Sequence, residues 1–104
     1  MTSIDLNDYG EFGDPIATRE LISGETGGPV VVDIGAPRPH PAGWVCPYRI
    51  TGIESEPITR GVPGVDSMQA LQDAVLIVGD VLASTGHPVT FHGGEPGLRR
   101  LSDR

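Results

Sequence analysis

Lysine is missing from this 104-residue chain, whose seven basic residues are all arginine against fourteen Asp and Glu. The net charge of −7 excludes non-specific binding to nucleic-acid phosphates, which depends on clustered cations. It also excludes a Walker-type phosphate loop, because no Lys follows any of the glycine clusters. The single cysteine, Cys46, leaves no disulfide within the chain. No apolar run approaches the roughly 20 residues that span a bilayer, so no membrane association is expected. The first residues, MTSIDLNDYG, have neither the basic start nor the apolar stretch of a secretory signal, and the cytoplasm is the expected location. Aromatic residues make up only 5%, so each one matters to the core.

What is present is turn chemistry, short β-branched runs and one amphipathic helix. Residues 1–33 hold seven acids and one Arg, against seven acids and six Arg in residues 34–104. Residues 1–14 therefore read as a loosely ordered acidic arm, although Leu6, Tyr9 and Phe12 recur every three residues and can dock as one stripe. From Ile16 to Ser23 the pattern alternates, with Ala17, Arg19 and Leu21 on one side, as in an outer strand. A glycine-rich turn leads into VVVDI, where Val30, Val32 and Ile34 face the core and Val31 and Asp33 face away. Next comes GAPRPHPAG, a stiff proline-rich turn, and then a strand over Trp44 to Ile53 with Trp44, Cys46, Tyr48 and Ile50 inward. Residues 54–64 read as a loop with a short extended piece at Ile58 to Arg60.

One strong helix follows. Asp66 is a good N-cap and Gln69 stands at the third helical position, as in a capping box. Gly86 supplies a left-handed stop and Pro88 forbids continuation. Met68, Leu71, Val75, Val78 and Leu82 form the inward stripe, widened by Ala74 and Val81. Leu76 breaks the pattern by falling among Gln69, Gln72, Asp73 and Asp80 on the polar side. Val89 to His92 makes a last short strand, to lie beside the first or the third, and residues 93–104 read as a loose tail. The expectation is one α+β domain over residues 1–104. Its antiparallel sheet has about four strands in the order β-β-β-α-β, with one amphipathic helix on one face.

The pattern Trp44-x-Cys46-Pro47-Tyr48-Arg49-Ile50-x-Gly52, followed by Gly64-x-Asp66-Ser67-Met68-Gln69-Ala70-Leu71, resembles a family of short bacterial proteins known as a domain of unknown function. The likeness covers roughly Ile16 to Phe91. It implies a compact α+β domain and carries no catalytic residue across.

The residues that could carry chemistry each have a structural role that explains them. Cys46 alternates with Trp44 and Tyr48 and so reads as a buried small hydrophobe rather than a nucleophile. His40, Cys46, His87, His92 and Asp66 lack a metal-ligand spacing such as C-x-x-C or H-E-x-x-H, so no metal and no cofactor are expected. Asp66, Ser67 and His92 lack a nucleophile elbow, and the first two already serve the helix start, where an anion is the remaining possibility. No catalytic residue is assigned. The preferred function is a non-enzymatic interaction module, an adaptor or an immunity-type neutraliser, whose partner is another protein or a second copy. Its contact residues would be Leu76, Gln69, Gln72, Asp73 and Asp80 on the helix, Arg38 and Arg49 near the proline-marked strand, and the acidic arm. The alternative is a ligand-binding or enzymatic domain with a pocket near the helix N-terminus lined by Trp44, Tyr48, Asp66, Ser67 and His92.

Overall fold

The computed structural model describes Asn7 and residues 9–98. Its elements are β1 (Ala17–Ser23), β2 (Pro29–Ile34), β3 (Arg38–His40), β4 (Gly43–Thr51), β5 (Ile58–Gly64), α1 (Ser67–Ser84) and β6 (Val89–Thr90). All strand pairings are antiparallel. β4 is central: β5 lies along one edge, while β2 and β3 share the other, and β1 and then β6 continue outward from β2. The α+β class and the single helix are as expected, but the sheet has six strands rather than about four, in the order β-β-β-β-β-α-β. The last strand pairs with the first, Ile22 opposite Thr90 and Ser23 opposite Val89.

The proline-rich stretch is not a simple turn. It continues β2 as β3 along the same edge of β4, and only Pro41 and Ala42 form the hairpin between His40 and Gly43. Ile34 pairs with Tyr48 and Arg38 with Val45, so Gly35, Ala36 and Pro37 oppose only Cys46 and Pro47. That surplus is a β-bulge. Its cause lies in the partner strand: Gly35 N–H donates to the Pro47 carbonyl at 2.8 Å, but Pro47 has no N–H to return. The Cys46 thiol takes over that role, donating to the Gly35 carbonyl at 3.4 Å.

Residues 54–64 were expected to be mostly loop, yet Ile58–Gly64 is a full strand paired along β4 from Ile50 to Trp44. Gly61, Pro63 and Gly64 hide it from propensity reading; an edge strand tolerates Pro because one row of its N–H groups needs no ladder partner.

The core lies between one face of this sheet and α1. Leu21, Val30, Val32, Ile34, Cys46, Tyr48, Ile50 and Val62 meet Ala70, Ala74, Val78 and Leu82, with Trp44 packed at the margin. The helix starts and stops as its sequence signals. The Asp66 carboxylate accepts from Gln69 N–H at 2.8 Å, and the Gln69 side-chain oxygen accepts from Val65 N–H at 2.6 Å. Gly86 sits in the left-handed region at φ 69°.

The buried stripe is rotated from the expected one. Met68 is 67% exposed, while Ala70 and Gly79 are buried. The reason is backbone proximity at the first turn: a Cβ on Gly64 would collide with the Ala70 backbone nitrogen. The helix lies so close to β5 that small residues take the contact and Met68 is turned outward.

In the flanking segments, Tyr9 and Phe12 dock as their spacing allows. Residues 9–12 pack on the sheet face opposite α1, and residues 93–98 fold back beside the helix, where Leu98 joins the core. Leu6 and residues 99–104 lie outside the described residues. The Gly64→Ala variant is expected to lose about 1–3 kcal/mol of stability in urea unfolding, since overpacking here must push the helix off the sheet. Met68→Ala should change stability little.

Candidate functional site

Three places gather the polar and charged side chains, and each is built by a particular piece of the fold.

The first is the sheet face away from α1. Alternation in β2 and β4 points Asp33 and Arg49 to this side, directly opposite each other in the register. Arg49 binds the Asp33 carboxylate at 3.1 Å, and the Thr18 hydroxyl donates to its other oxygen at 2.7 Å. Arg49 then lies over the Phe12 ring, 4.4 Å from its centroid. Arg38, at the start of β3, reaches the main chain of the arm. Its guanidinium donates to the carbonyls of Tyr9 at 3.2 Å, Glu11 at 2.6 Å and Phe12 at 3.3 Å. The Tyr9 ring sits 5.5 Å from the same group. The two arginines named as partner-binding candidates thus form one cradle, occupied by the chain's own N-terminal segment. Val45 and Pro47 are fully buried on this side as a result.

The second place joins the β1–β2 turn to the end of α1. The Ser23 hydroxyl lies 2.8 Å from His87 Nε2, and Glu25 lies 3.4 Å from His87 Nδ1. Sequence reading passed over this Ser–His–Glu alignment, because the three are brought together only by the pairing of β6 with β1. The atoms match a nucleophile–base–orienter arrangement, but Ser23 is 2% exposed and its oxygen already accepts from Glu25 and Thr26 N–H at 3.2 and 3.1 Å. With both lone pairs engaged, the hydroxyl proton is left to point at His87 Nε2, and Glu25 stands beside Nδ1 on the far side of the ring. The cluster fastens a turn to a helix end. His87 also borders a cavity of about 560 Å³ with Leu82, Val89 and Glu95.

The third place is a groove of about 550 Å³ along the flank of α1, shared between Leu71, Val75, Leu76 and Leu98. Arg19 closes one side, held by the carbonyls of Pro96 and Gly97, both at 3.1 Å, and by the Phe91 ring at 4.5 Å. Leu76 is therefore half-buried in an apolar groove, with Gln72 and Asp73 at its rim. Gln69 is engaged at the helix start, and Asp73 and Asp80 both have interaction partners.

The residues of the alternative pocket do not all come together: Trp44 lies opposite Gly64 beside the helix start, but the others do not join it in a pocket. Tyr48 is buried in the core, Asp66 caps the helix, and Ser67 is exposed in its first turn. His92 follows β6, at the opposite edge of the sheet from the β5 end where α1 begins. The two cavities lie toward the middle and far end of α1 instead. Among the described residues no three His, Cys, Asp or Glu side chains group as metal ligands, and no helix is long and apolar enough to cross a membrane.

These features define a small α+β domain whose sheet is covered by a helix on one face and by its own flanking segment on the other. A family model described as a domain of unknown function, DUF6968, matches residues 17–97, and the chain belongs to that family. No curated protein and no solved structure matches it.

Burial pushes the Cys46 thiol up to about 11, against a smaller opposing pull from Arg38. The Tyr48 hydroxyl is raised by burial too, with Arg60 opposing. Between the ordinary thiol value and about 11 the folded chain retains a proton that the unfolded chain has lost, so stability falls as pH rises through that window. Urea unfolding from pH 8 to pH 11 should show this decline, and Cys46→Ala, less stable at pH 8 by about 1–3 kcal/mol for its cavity and lost hydrogen bond, should show a shallower one.

Proposed function

We propose that the protein is a non-enzymatic interaction module that receives a partner protein in the groove beside α1. The observation that supports this reading is Leu76. Surface leucines are ordinary when isolated; this one lies in a continuous apolar groove with Leu71, Val75 and Leu98. A groove of that kind, rimmed by Asp73 and Gln72 and bounded by Arg19, suits an apolar anchor residue presented by another polypeptide. Such a groove would serve an adaptor or an immunity-type neutraliser acting in a bacterial cytoplasm.

A second reading is a small-ligand domain, favoured by the adjoining cavity of about 560 Å³, where His87 and Glu95 face Leu82 and Val89. Ligand-induced stabilisation that disappears in Glu95→Gln would support it.

Capture of proteins from a bacterial lysate, compared between wild type, Leu76→Glu and the surface control Met68→Glu, tests the first reading. A protein retained by wild type and Met68→Glu but lost by a folded Leu76→Glu is the expected result. Equal capture by all three overturns it, as does the absence of any captured protein.

A further inference from the structure

The cradle formed by Arg38 and Arg49 already shows how it holds a polypeptide. One guanidinium reads three main-chain carbonyls within four residues, a mode of grip that depends on backbone path and not on side-chain identity. Specificity comes from two rings three residues apart, Tyr9 under Arg38 and Phe12 under Arg49. The sheet is shaped to receive the second ring. A Cβ on Gly35 would collide with the Pro47 ring at 2.7 Å while meeting Phe12 at an ordinary 3.5 Å, so glycine is what lets Pro47 sit in the floor beside Phe12. Arg49 is fixed in place from behind by Asp33, which Thr18 orients in turn.

Beside the cradle, the outer edge of β5 contributes a donor, Gly61 N–H, which the Asn7 side chain accepts at 2.9 Å. The bound segment is acidic in sequence, with Asp8, Glu11 and Asp14 around its two rings, and faces arginine. Arg38, Arg49 and Arg60 all bring positive charge to bear on the Tyr9 hydroxyl, although burial still raises its pKa. No ladder pairing holds residues 9–12; they belong to no strand and are joined to β1 through the exposed Gly13, Asp14, Pro15 and Ile16.

We propose that this cradle is a recognition site for a bent, acidic polypeptide segment of the form aromatic-x-x-aromatic, turned as the chain's own is at Gly10 (φ 84°), and that residues 9–12 are its resident competitor. A partner segment binds by replacing the chain's own. Tethering through four residues places the resident segment at an effective concentration on the order of millimolar. A competing segment therefore binds the intact chain with its affinity reduced by the fraction of time the cradle stands open. The site is independent of the groove beside α1, which lies on the other face of the sheet.

The test uses the full-length chain and a synthetic peptide with the sequence of residues 7–14, NDYGEFGD, followed by NMR titration. Phe12→Ala in the protein weakens the resident segment while leaving the cradle intact. The peptide is expected to bind this variant at least tenfold more tightly than wild type. Adding Arg49→Ala, or replacing the peptide's Phe with Ala, should weaken binding at least tenfold. In the wild-type chain, millimolar peptide should shift the amides of residues 9–12 toward unbound positions, and the Phe-to-Ala peptide should not. That measurement stands if Phe12→Ala fails to fold. The proposal is overturned if the folded variant binds no peptide at millimolar concentration, if binding ignores Arg49→Ala, or if wild-type amides do not move.

Discussion

An arginine fork lying over an aromatic ring while its N–H groups hold main-chain carbonyls is the contact on which the rest of this structure depends. Arg38 makes it with Tyr9 and the carbonyls of residues 9, 11 and 12, and Arg19 makes it with Phe91 and the carbonyls of Pro96 and Gly97. Arg49 makes the same stacking contact with Phe12 and turns its fork toward Asp33. One helix cannot cover both faces of a sheet. Of the covers that complete it, residues 9–12 on one face have no strand pairing, and residues 93–98 beside the helix on the other have only the single bridge of Gly94 to Phe91. The arginines supply what a ladder would.

This explains how so few aromatic residues suffice. Of the five in the chain, Tyr9, Phe12 and Phe91 lie under guanidinium groups, Tyr48 is in the main core, and Trp44 and Phe91 pack against it. A cation over a ring contributes about 0.5–1 kcal/mol at a partly exposed site. Each contact is thus small, and the flanking segments are held by several small contacts together. Lysine, a compact ammonium on a flexible stem, can donate to several carbonyls but lacks the planar fork that lies flat on a ring while doing so. The absence of lysine accordingly has a structural counterpart here, whatever its origin.

A second device, the bulge opposite Pro47, links the chain's single thiol to sheet geometry. Proline removes a ladder donor, the surplus residue in the β2–β3 edge bends the strand, and the Cys46 thiol donates to the stranded Gly35 carbonyl. Burial keeps that thiol protonated, so the same environment that makes Cys46 a structural donor makes it a poor nucleophile. The bulge also places Gly35 and Pro47 beneath Phe12, so the sheet defect and the arm's docking site are one piece of structure.

How much was legible follows from which signals are local. The helix start at Asp66 and Gln69, its stop at Gly86 and Pro88, and the inward faces of β2 and β4 are written in neighbouring residues, because capping, positive φ and period-two alternation act over a few positions. The strand β5 was not legible: Gly61, Pro63 and Gly64 disfavour it alone, and only pairing along β4 makes it one. Met68 was misplaced because its facing depends on how near α1 approaches Gly64. Arg38 and Arg49 could be read as outward cations, but not what they hold, and Ser23, Glu25 and His87 could not be read as neighbours at all. By itself the sequence determined the class of fold, the helix with its ends, and the thiol's burial. The tertiary structure decided the six-stranded order, the arginine clips and every candidate site, since each of these joins residues whose meeting depends on long-range pairing rather than on local preference.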